Sequence, residues 1–146
     1  MATQTYNSGF LRLVDGTTAW GTVADVYAVL VGSGYTFSRS HSTYADVSAQ
    51  EITDVDYAPQ DVPAAGRSVA LSTNDVLFDC GDVSFGSEVT IDASGGGIIF
   101  LLGAEATPQA SDPLLFYWGL PNPASSTAGT FTVRVPNGII RITDAA

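Results

Sequence analysis

The sequence predicts an all-β protein: a single-domain antiparallel sandwich or partly open barrel of about seven to nine short strands, with little helix. Three observations lead there. Glycine (15) and proline (7) are frequent among many valine, threonine and serine residues, a mixture that favours strands joined by tight turns. Lysine is absent and glutamate occurs only at Glu51, Glu88 and Glu105, so the usual coating of helices is missing. Apolar residues alternate over short runs bounded by turn residues and do not recur at helical spacing.

Taken in order, residues 1–10 (MATQTYNSGF) are small and polar apart from Tyr6 and Phe10. They read as an N-terminal arm that orders against something else or frays, with residues 11–146 as the β domain. VADVYAVLV (23–31) is apolar at both parities, with Val23, Tyr27, Val29 and Val31 on one face and Val26 and Leu30 on the other. That pattern fits a strand covered on both sides, although periodicity alone also admits a short helix. Gly32–Gly34 breaks the chain, and YTFSRSHSTYADV (Tyr35–Val47) follows as a loop. DVSAQEITDVDYAPQDVPAAG is an acidic, proline-punctuated excursion with a short strand around Gln50–Thr53.

RSVAL places Val69 and Leu71 inward, STND turns the chain, and VLFD puts Val76 and Phe78 on one face, which together make a hairpin. DVSF, with Val83 and Phe85, and EVTID, with Val89 and Ile91, continue the meander, and the glycines of ASGGG separate EVTID from IIFLL. DPLLFYWGL is a further strand. TFTVRV and IIRIT flank Pro136-Asn137-Gly138, where Asn-Gly supplies the positive φ angles of a tight hairpin turn. Trp20 and Trp118 are read as core, with interface anchoring as the alternative.

Charge narrows the partners. Fifteen acidic residues face five arginines, a net charge of −10 that repels polyphosphate, so neither nucleic acid nor an anionic membrane surface is an expected partner. Cys80 stands alone, which leaves the fold to packing or to partners. The first residues lack the basic and apolar segments of a secretory signal, and runs such as GIIFLLGA are too short to span a bilayer, so the expectation is a soluble protein made in a cytoplasm.

Chemistry is scarce. One histidine and one cysteine do not build a multi-ligand zinc site, no spacing matches a calcium loop, and Asp79 and Asp82 read as turn caps. SGGG lacks the lysine of a phosphate-binding loop, so no metal or cofactor is expected. Ser38, Ser40, Ser42, His41 and Asp46 crowd together, yet a catalytic triad draws its members from separate, rigidly held elements. His41 is therefore read as a loop residue bonded to backbone or to Asp46, Glu51, Asp54 and Asp56 as a solvated acidic face, and the protein as no enzyme. A loop rich in Tyr and Phe, with one arginine, has the makeup of a contact surface. Tyr6, Phe10, Tyr35, Phe37, Arg39, His41 and Tyr44 are the candidate interface.

The order of VYAVLVGSGYTFSRSHSTYADVSAQEI, GRSVALS, DVLFDCGDVSF, DPLLFYWGL and GTFTVRVPNGIIRIT resembles a family of small proteins encoded among the head genes of tailed bacteriophages. The family's pattern is matched at Tyr35, Thr36, His41, Asp46, Val47 and Glu51, then at Asp82–Phe85 and Gly129–Val133, whereas Phe37 stands where the family has proline. The resemblance implies a virion structural protein on the outer capsid surface. Its role would be that of a decoration, or cement, protein that binds the major capsid protein as a homotrimer. A tail or head fibre adaptor of the same virion is the alternative.

Overall fold

The structure, a computed structural model, describes residues 3–22, 25–72, 75–103, 107–135 and 140–143. It is mostly β and antiparallel, with no closed barrel. Among the described residues there are eight strands, β1 (Thr3–Thr5), β2 (Val26–Gly32), β3 (Gln60–Asp61), β4 (Ser68–Ser72), β5 (Asp75–Asp79), β6 (Val83–Leu102), β7 (Leu114–Val133) and β8 (Ile140–Thr143), and one α-helix, α1 (Asn7–Val14), which precedes β2. Five strands pair in the order β1-β7-β6-β2-β3 and three in the order β4-β5-β8.

β2 behaves as its double parity predicts. Val26, Ala28 and Leu30 enter one cluster with Ile98, Phe100, Phe116 and Trp118, while Tyr27, Val29 and Val31 enter another with Ile99, Leu101 and Leu114. Around β2 the five-stranded sheet is thus buried on both faces. Phe78 of β5 packs against the first cluster, its ring 6.3 Å from that of Phe116, and this contact joins the two sheets into a sandwich. Trp20 and Trp118 are both core, with Trp20 edge-on to Phe116 at 5.2 Å and its indole N–H donating to the Asp79 carbonyl at 2.7 Å.

Several details differ from the sequence reading. The glycines of ASGGG do not end a strand: β6 runs unbroken through them, and DPLLFYWGL and TFTV are likewise the two ends of β7. The break expected at the glycines is absorbed as register shifts between Phe85 and Val89, Val89 and Ile91, Ile91 and Gly95, and Gly95 and Gly97. Extra residues at such bulges bend and twist a strand without ending it. Another shift between Phe100 and Leu101 leaves Leu115 between the residues that pair with them, so Leu115 and Phe116 both reach the first cluster.

Val69 and Leu71, expected inward, are 49 and 85 % exposed. They lie on the same face as Phe78 and Val76, but β4 is the outer strand of its sheet and nothing covers its far end among the described residues. Near Gln50–Thr53 the chain forms a single 3-10 turn and one bridge, Glu51 to Val31, in place of a strand. The Asn137-Gly138 turn, the STND turn at Thr73-Asn74 and the face of Val23 lie outside the described residues.

The segment read as an arm is built into the domain from Thr3. β1 pairs with β7, the Tyr6 side chain is fully buried, and α1 follows directly. Leu11, Arg12 and Leu13 favour helix, and Gly16, at φ +78° just after the Asp15 cap, supplies the left-handed turn that stops it. Gly9 lets α1 lie on β7, because a Cβ there would sit 2.5 Å from the Leu115 carbonyl oxygen and 2.6 Å from that of Leu114.

Candidate interaction site

The second face of the large sheet is covered by the loop from Tyr35 to Glu51, which is strapped down rather than free. Its backbone is tied along its length: Tyr35 N–H to the Gly32 carbonyl, Asn7 N–H to the Arg39 carbonyl and Leu114 N–H to the Ser42 carbonyl, each at 3.0 Å. Tyr44 N–H reaches the Asp112 carbonyl at 2.8 Å, and Ile52 N–H returns the chain to the Leu30 carbonyl at 3.0 Å. A loop that covers a sheet has no ladder of its own, so its peptide groups find partners one at a time.

The aromatic residues of the strap point inward. Tyr35 and Tyr6 are buried, Phe37 stacks on Tyr117 with ring centres 5.7 Å apart, and Tyr6 and Tyr117 lie 5.0 Å from Phe37 and 5.2 Å from Tyr35 respectively. The Tyr6 and Tyr35 hydroxyls are 2.8 Å apart, and the Tyr35 hydroxyl is 3.0 Å from Nδ1 of half-buried His41. With Nδ1 unprotonated the chain runs one way: Tyr6 O–H donates to Tyr35, and Tyr35 O–H to His41. Burial holds both phenols above the ordinary tyrosine range, so they remain neutral donors.

His41 therefore takes Tyr35 as its ring partner, not Asp46 or backbone. Asp46 instead accepts the N–H groups of Ser42 at 2.8 Å and Thr43 at 3.0 Å, which holds its carboxyl below the usual range and caps the 3-10 turn at Tyr44–Asp46. Ser38 and Ser40 bond each other at 2.8 Å. Ser42 and Asp46 thus bond each other within the strap, and His41 bonds Tyr35.

Glu51, read from the sequence as part of a solvated face, is half-buried and accepts from two phenols, Tyr44 and Tyr57, the latter at 2.7 Å. The Tyr57 hydroxyl also accepts the Leu30 N–H at 2.9 Å. β3 pairs only with Tyr27 and Ala28, so beyond Ala28 the outer edge of β2 has no neighbouring strand; Tyr57 and Ile52 provide the missing acceptor and donor for Leu30. Burial, then Glu51, pushes the Tyr57 phenol well above its ordinary value.

Of the two aspartates read as turn caps, Asp79 accepts the N–H of the next residue, Cys80, at 2.9 Å, whereas Asp82 reaches across the fold to accept the Val135 N–H at 3.0 Å. The Cys80 thiol is buried and pushed up to about 12, chiefly by desolvation. Among the described residues no group of three His, Cys, Asp or Glu side chains is placed to hold a metal ion. No helix among them is long and apolar enough to cross a membrane.

Of the seven candidate interface residues, Phe10 and Arg39 are exposed, Phe37, His41 and Tyr44 are partly covered, and Tyr6 and Tyr35 are inside. Burial of these two tyrosines follows from the apolar second face of the sheet, which needs a cover that no second sheet supplies. The exposed apolar surface sits elsewhere. Phe10, Leu11 and Val14 of α1 are 45, 62 and 67 % exposed, beside Arg12. Leu11 and Val14 were missed, although Phe10 and Val14 stand four apart, one helical turn, ahead of a Gly16 stop. Comparison with protein-family models, with curated proteins and with solved structures finds no match to this chain.

Proposed function

We propose that this chain is a capsid decoration protein of a tailed bacteriophage, which attaches to the major capsid protein on the outer shell and resists its disassembly. The virion assignment rests on the family resemblance. The observation that supports binding is the apolar face of α1: Phe10, Leu11 and Val14 stand in solvent on a helix whose opposite side is locked to β7 at Gly9. Aromatic and aliphatic side chains on a rigid element are the kind of surface that anchors a protein partner. The strap fits the same role, since a cover tied at each end keeps the shape of the module constant while it binds.

Purified full-length protein added to stripped capsids tests this reading. Expected are saturable binding at a fixed stoichiometry, a higher temperature of capsid disruption, and attachment that persists at about 0.5 M salt, because apolar contacts are screened little. Phe10→Ser and Val14→Ser together should weaken attachment while the isolated protein keeps its melting temperature. If capsids neither bind the protein nor gain heat resistance, and particles carry a few copies at one vertex, decoration is wrong and the fibre-adaptor role takes its place.

A further inference from the structure

The two sheets have four outer strands among the described residues, and three of them are protected. β1 has three residues; β3 has two, including Asp61, and lies between Pro59 and Pro63; β8 carries Arg141. Short length, charge and proline are the usual means of keeping an open edge from pairing with another chain. β4 has none of them. Its five residues, Ser68-Val69-Ala70-Leu71-Ser72, include no charge and no proline, and Ser68, Val69, Ala70 and Leu71 are all exposed.

The same five residues read almost identically in both directions. We infer that β4 pairs antiparallel with β4 of a second copy of this chain, about a twofold axis at Ala70. Ser68 then stands opposite Ser72 of the second copy, Val69 opposite Leu71, and Ala70 opposite Ala70. Opposed residues in an antiparallel pair point to the same face, so Leu71, 85 % exposed, and Val69, 49 % exposed, cover one another across the seam. The apolar row that begins at Phe78 in each copy becomes continuous through a six-stranded sheet.

Charge favours this occupant. Two molecules of net charge −10 repel over most of their surfaces, and they meet here along a segment where neither presents a charge. Arg67, the nearest ionisable residue before the strand, is buried, with its guanidinium donating to the Trp20 carbonyl at 2.9 Å and lying over the Trp20 ring. An isologous contact of this kind closes on itself. It gives a dimer, in place of the trimer that the resemblance implies, and it does not depend on what the α1 face binds.

Sedimentation velocity and native mass spectrometry of the full chain from about 1 to about 500 μM test the seam. Wild-type protein should pass from monomer to dimer, and Leu71→Lys or Val69→Lys should weaken self-association by on the order of tenfold or more, with the circular dichroism of the monomer unchanged. Ala70→Cys should oxidise readily to a covalent dimer, since opposed residues of an antiparallel pair lie within disulfide reach. Ala45→Cys, exposed on the strap, serves as the control. A wild-type chain that stays monomeric, a trimer indifferent to Leu71→Lys, or equal cross-linking at positions 45 and 70 would each overturn the inference. So would a monomer whose Leu71→Lys variant loses capsid attachment, which would give the edge to a strand of the capsid protein.

Discussion

The two faces of the five-stranded sheet are closed by different means. One carries Ala28, Leu30, Ile98, Phe100 and Phe116, and it meets Phe78 of the second sheet and the Trp20 ring in an almost wholly apolar cluster. The other carries Val29, Val31, Ile99 and Leu101, but its cover is the strap, and Tyr6, Tyr35, Tyr44 and Tyr117 surround it. A covering sheet satisfies its own backbone through its ladder and brings only side chains to the core. A covering loop brings unpaired peptide groups as well, so its side chains combine an apolar body with a hydroxyl that can bond. The first face should therefore fail by loss of volume, and the second by loss of single hydrogen bonds.

The largest effect is expected from Phe116→Ala. Phe116 is fully buried between Trp20, Phe78 and Phe100, and its truncation should destabilise the protein by about 3–5 kcal/mol in denaturant unfolding. A loss below 1 kcal/mol would mean that the sheets do not pack through this ring.

Alkali should attack the other face first. Tyr6 and Tyr44 on this face are raised above the ordinary phenol range, chiefly by burial, so in the folded state they keep protons that the unfolded chain gives up. Their contribution is fully present below about pH 10 and is lost as the pH rises past it. All six tyrosines are buried or partly buried and all are held above the ordinary phenol range, so phenolate absorbance should rise late and mainly as the protein unfolds. Smooth titration of all six tyrosines without unfolding would contradict the tyrosine-lined cover.

Single hydroxyls come next. Tyr57→Phe strands the Leu30 N–H and removes one donor from Glu51, an expected loss of about 2–3 kcal/mol, whereas Tyr35→Phe leaves the Tyr6 hydroxyl unpartnered in the core and should cost about 1–2 kcal/mol. Hydrogen exchange discriminates them: Tyr57→Phe should speed exchange at Leu30, and Tyr35→Phe should speed it across the strap. Asp46→Ala, which removes the acceptor for the Ser42 and Thr43 N–H groups, is expected to cost about 0.5–1 kcal/mol. Because the Asp46 carboxyl lies below its ordinary value, that contribution is present above about pH 4 and fades as the pH falls, so wild type and variant should converge in acid.

The sequence by itself determined the β architecture and the double burial of β2, because a period of two and the density of apolar residues at both parities are local properties. It also pointed to Trp20 and Trp118 as core and to Val83 and Phe85 as sharing one face, and all four are buried. The inward turn of Tyr35, the Tyr6–Tyr35–His41 chain and the role of Glu51 depend on residues far apart in the chain converging on one sheet face, and no spacing records that. β4 shows the same limit from the other side. RSVAL alternates as a half-buried strand should, yet which of its apolar residues are covered was decided by its place at the outer edge of a small sheet. Alternation fixes which side chains share a face; only the neighbours that the fold supplies decide whether that face meets protein or water.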